Sequence, residues 1–160
     1  MNRAEVLNAI DEAFSGEPRP TMFIPGTCLC PECTEHNETM RRFKPKELPL
    51  DALDNQGWDP ICFASDAAFR YLMPGLARLV LAHAGDYIHQ FLFHVQQQDR
   101  MASLTPSQTR AVVGVIDFLV REESAAVRKH LVADELFSLR SRLKQAAVRR
   151  PSSLPGVPPL

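Results

Sequence analysis

Long apolar runs are missing from these 160 residues. The longest, such as Leu79-Val80-Leu81-Ala82, span only a few positions, far short of the roughly 20 that a bilayer-crossing helix needs. An excess of either charge is missing too. Eighteen Lys and Arg against nineteen Asp and Glu leave a formal net charge of −1, which excludes a uniformly basic nucleic-acid binder and an acidic disordered tail protein. There is no Gly-rich phosphate loop, serine elbow or two-histidine metalloprotease motif, so the commonest local signatures of catalysis are lacking. The opening Met1-Asn2-Arg3-Ala4-Glu5, with acids at Glu5, Asp11 and Glu12, has no secretory-signal character, and the expected compartment is the cytosol. What remains, 45% hydrophobic and 23% charged, is the ordinary mix of one globular domain with its own core.

Helical periodicity dominates the chain. Val6, Ile10 and Phe14 recur every fourth residue and predict a helix over residues 1–15, ended by Gly16 and Pro18-Arg19-Pro20. Met22-Phe23-Ile24 reads as a short strand without an evident partner. Pro31 suits a first helical position, with Cys30 as N-cap, and the helix that follows carries Glu32, Glu35 and Glu38 early and Arg41, Arg42 and Lys44 late, matching its dipole until Pro45 stops it. Residues 46–60 read as irregular chain pinned by Leu48, Leu50, Leu53 and Trp58. A helix capped at Ser65 or Asp66 presents Phe69, Leu72, Leu76, Leu79 and Val80, with a kink expected at Pro74. Gly85-Asp86 reads as a break before a helix over 87–98. Thr105-Pro106-Ser107-Gln108 is a capping box, the clearest local signal present, and its helix is expected to break between Arg121 and Ser124. A last helix covers roughly 132–148.

The chemically unusual spot is Cys28-Leu29-Cys30-Pro31-Glu32-Cys33, followed by His36. In a cytosolic chain such a cluster points to metal binding or redox chemistry rather than to a disulfide framework. A tight turn can bring two thiols to about 2.3 Å from one zinc ion. His36 falls one helical turn beyond Cys33, about 60° away round the axis, so Cys30, Cys33 and His36 offer three ligands, with Cys62 the fourth and Cys28 its substitute. Two other readings stand beside this one. Cys33, His36, Met40 and Phe43 also form an ordinary buried stripe, and Cys30-Pro31-Glu32-Cys33 looks like the active pair of a thiol oxidoreductase, without the βαβ setting such a pair uses. His83, His89 and His94 are spaced six and five apart, which puts no two imidazoles on one helix face; His89 and His94 read as boundary histidines. Seven basic against two acidic side chains over 128–150 read as a solvated face, which argues against nucleic acid.

Taken together, Trp58-Asp59-Pro60-Ile61-Cys62-Phe63, Ala68-Phe69-Arg70-Tyr71, Pro74, Leu76-Ala77-Arg78-Leu79 and Gln90-Phe91-Leu92-Phe93-His94, with the upstream cysteine pair and the downstream Leu104-Thr105-Pro106-Ser107-Gln108, resemble a family of small uncharacterised bacterial proteins, a domain of unknown function, over roughly residues 5–145. The resemblance implies a bacterial, cytoplasmic, mainly helical protein and carries no activity or catalytic residue with it.

The sequence therefore predicts a single all-α domain over 1–148, an irregular bundle of five to six helices with one kinked at Pro74, and a flexible proline-rich tail over 149–160. Its expected role is a non-catalytic binding or interaction module with a zinc site at Cys30, Cys33, His36 and Cys62, or Cys28 in substitution. A protein partner is left open and a membrane is not expected. The alternative is a thiol-based redox protein or sensor using Cys30 and Cys33.

Overall fold

The computed structural model describes residues 1–26, 28, 30–53, 58–129 and 132–149. Eight helices are present among them: α1 Arg3–Ala13, α2 Pro31–Arg41, α3 Asp66–Ala82, α4 Ala84–Gln96, α5 Gln98–Ser103, α6 Pro106–Glu122, α7 Ser124–Lys129 and α8 Ala133–Arg149, with 3₁₀ turns at Pro45–Glu47, Leu50–Ala52 and Pro60–Phe63. No strand occurs among the described residues, so the architecture is all-α. Met22-Phe23-Ile24 is a pinned loop, not a strand: the Phe23 amide donates to Asn37 Oδ1 at 2.9 Å, and its carbonyl accepts from the Ser65 amide at 2.7 Å. Ser65 caps α3 and Thr105 with Gln108 forms the expected capping box on α6. Asn2 with Glu5 forms a second box on α1. α8 reaches Arg149, one residue into the expected tail, the rest of which lies outside the described residues.

Helix α3 is the central element. It is apolar almost all round, burying Phe69, Leu72, Met73, Leu76, Leu79 and Val80, which suits a helix packed on several sides at once. α1 lies against α3 and α6, α4 runs beside α3, and α8 packs along α6. α3 continues through Pro74, whose ring leaves the Arg70 carbonyl without its usual helical donor. The Pro45–Glu47 turn covers α3 at Gly75, where an added Cβ would lie 2.1 Å from the Pro45 carbonyl oxygen, so only glycine lets the two backbones meet. The break near residue 85 falls elsewhere than the sequence suggests. His83 ends α3, while Gly85 and Asp86 open α4.

One ion pair ties α1 to α3. Arg78 donates Nη1 to Asp11 Oδ1 at 2.8 Å and Nη2 to Oδ2 at 2.6 Å, and Lys46 Nζ lies 2.7 Å from Oδ2. The Arg78 guanidinium holds the Asp11 carboxyl below its ordinary range, against the opposing push of burial, with Lys46 adding to the lowering. A depressed carboxyl stabilises the fold above its unfolded value of about 3.9, and that contribution disappears as pH falls through the folded value. Arg78→Met is expected to cost about 1–3 kcal/mol at neutral pH. Urea midpoints of the two proteins should converge below about pH 4; a gap that persists undiminished at pH 2 would show that the pair acts through packing instead.

Candidate metal centre and the buried dyad beside it

Cys30 is the N-cap of α2. Its extended backbone and the fixed φ of Pro31 start the helix, and the Cys33 amide donates to Cys30 Sγ at 3.4 Å, as a capping serine oxygen would accept. Half a turn of cap and one turn of helix therefore place Cys30 and Cys33 together, and the chain entering from Pro25-Gly26 brings Cys28 to them, with its sulfur 3.3 Å from that of Cys30. The three sulfurs all lie within 4.8 Å of one another, and among the described residues no other trio of Cys, His, Asp and Glu does so. Tetrahedral ligation at about 2.3 Å puts sulfurs about 3.8 Å apart, so this trio needs little movement to close on one ion.

The thiols already share charge. The Cys30 backbone amide, with the neighbouring thiols of Cys33 and Cys30, holds Cys28 below the ordinary thiol range. The Cys33 thiol, a donor to Cys28 and beside Cys30, is pushed up to about 12. Ionisation at Cys28 is thus eased while that at Cys33 is hindered. A divalent cation removes that conflict, because it stabilises all three thiolates together and displaces their protons. The residues fit a thiophilic metal.

The other two sequence candidates stand outside this group. His36 is buried, its ring stacked on Phe63 at 4.2 Å between centroids and tilted against Trp58 at 4.9 Å, and its Nε2 makes no hydrogen bond, with Glu32 Oε1 3.9 Å away. The apolar stripe of α2 is what claims it, together with Met40. Cys62 is half-buried on the Pro60–Phe63 turn, its thiol pushed up by burial and by Asp59. It lines a cleft of about 580 Å³ together with Cys28, Cys33, Asp66, Asp99 and Arg100. Trp58, expected to anchor the irregular segment, is 40% exposed.

A second polar centre is built on the same turn. Asp59 caps the turn, accepting from the Ile61 amide at 2.8 Å through Oδ1, while Oδ2 accepts from Gln90 Nε2 at 3.0 Å and faces His94 Nε2 at 2.7 Å. The Asp59 and His94 side chains are both 1% exposed, so His94 is an interior residue and not one at the boundary of its helix. Arg100, 3% exposed, donates Nη2 to the carbonyls of Ile61 at 2.6 Å and Ala64 at 3.2 Å and stacks on Phe69. Periodicity concealed Asp59; the Asp59-Pro60 pair, a start signal for a helical turn, is the local cue that points to it.

Comparison with known proteins returned no family model, no curated protein and no solved structure that matches the chain. The functional reading therefore stands on this geometry.

Proposed function

We propose that the protein is a helical binding module whose N-terminal segment is fastened by one zinc ion held by Cys28, Cys30 and Cys33. The observation that carries this reading is the convergence of three sulfurs within 4.8 Å at the start of α2. Three protein ligands leave a fourth position, open towards water, Cys62 or a group supplied by a partner. Loops cannot bury backbone polar groups cheaply, so an ion is an effective clamp for a stretch as irregular as 20–26. A reducing cytoplasm, the setting the sequence suggests, keeps such thiols available to a metal.

Metal analysis of purified, tag-free protein should find about one zinc per chain, and Cys30→Ser with Cys33→Ser should bring it to background. Well under one equivalent, with two thiols missing from a free-thiol titration, would assign the trio to redox chemistry instead: two thiols give up two protons and two electrons to a disulfide- or peroxide-class oxidant and form one S–S bond.

A further inference from the structure

One sulfur, that of Cys30, has three roles. It belongs to the trio that converges at the start of α2, and it caps that helix by accepting from the Cys33 amide at 3.4 Å. It is also the exposed member of the trio, Cys28 and Cys33 being half-buried. The Cys28 sulfur lies 3.3 Å from it, within the roughly 3–3.5 Å of atoms placed to react. A solvent-open thiol with a second thiol at that distance is the arrangement in which an oxidised sulfur is captured as a disulfide before it is oxidised further.

We infer that the metal site is redox-gated: a peroxide-class oxidant joins Cys28 to Cys30, and the trio releases its ion. This rests on the zinc reading above. The Cys30 thiolate attacks one peroxide oxygen, so an S–O bond forms, the O–O bond breaks and hydroxide leaves. The Cys28 thiolate then attacks the Cys30 sulfur; an S–S bond forms, the S–O bond breaks and a second hydroxide leaves. Two thiolates lose two electrons in all, and one peroxide gains them. Thiolate sulfur is what ligates the metal, and after this step Cys33 alone supplies it. A disulfide sulfur is also a poorer acceptor for the Cys33 amide, so α2 loses its clamp and part of its cap in one event.

Cys62 is the internal control. It contributes to the cleft beside Cys28 and Cys33 and to a second, of about 500 Å³, that Asp59, Phe93, His94 and Glu135 also line, yet it stands outside the trio. The test uses the full chain, loaded with zinc under a thiol reductant that is then removed, and hydrogen peroxide as the probe. A chromogenic chelator should register one zinc released for every two thiols lost. Peptide mapping should find the Cys28–Cys30 disulfide, and fresh reductant with zinc should restore the loaded state. Cys62→Ser should release zinc at an unchanged rate. A chain that takes up no zinc at the outset fails the zinc reading, and the gate with it. The gate alone is overturned, with the zinc reading intact, by an ion retained after two thiols are gone or by a disulfide other than Cys28–Cys30. Loss of all three thiols to acids that reductant does not restore, or slowed release in Cys62→Ser, overturns it equally.

Discussion

Replacing Asp59 with alanine is expected to destabilise the fold by about 3–5 kcal/mol, since each of three buried donors left unpaired costs about 1–3 kcal/mol. The carboxylate accepts from three donors on two elements, and all three lose their partner at once: the Ile61 amide, Gln90 Nε2 and His94 Nε2. The first loss undoes the cap of the Pro60–Phe63 turn; the other two detach that turn from α4. Asp59→Asn should cost less, because its remaining oxygen still caps the turn while its amide nitrogen opposes two donors. Guanidinium midpoints at neutral pH order the three proteins. If alanine costs under about 1 kcal/mol, the level of one ordinary neutral hydrogen bond, the dyad is solvated and the buried description fails.

Stripping the proposed zinc is expected to have a large effect confined to one region. A ligand present at 100 times its dissociation constant adds about 2.7 kcal/mol to whatever opening releases it, about a hundredfold in exchange rate. Amides in the first turns of α2 should therefore exchange about a hundredfold faster in chelator. Those of α3 and α6 should not change, because their protection comes from core side chains among which none of the three cysteines is buried. An eleven-residue helix has little stability of its own, which is why α2 reports the loss. Uniform acceleration across α3 and α6 would instead make the metal a condition of the whole fold, and no change at α2 would remove the clamp.

The helices were legible from the sequence wherever the determinant is local. Cys30-Pro31, Ser65 and the Thr105–Gln108 box each satisfy amides within three residues, so spacing alone reveals them. Gly85-Asp86 misled for an equally local reason. An acid in the first turn favours a helix start as much as a glycine favours an end, and here the start prevailed. The site was legible in half. CxCxxC spacing announces that sulfurs meet, but that His36 stands apart from them depends on Phe63, 27 positions away, which draws the imidazole into a stack. The Asp59–His94 pair spans 35 residues and leaves no periodic trace, because its partners come from a turn and a helix with different repeats.

The Pro60–Phe63 turn has Cys62 on the walls of both clefts, Asp59 at its start and a single guanidinium gathering its carbonyls. One four-residue turn thus contributes to the walls of two chemically unlike chambers. Neither chamber owns its wall: a change accepted for the sake of one is imposed on the other, and over generations the two will be revised jointly or left alone.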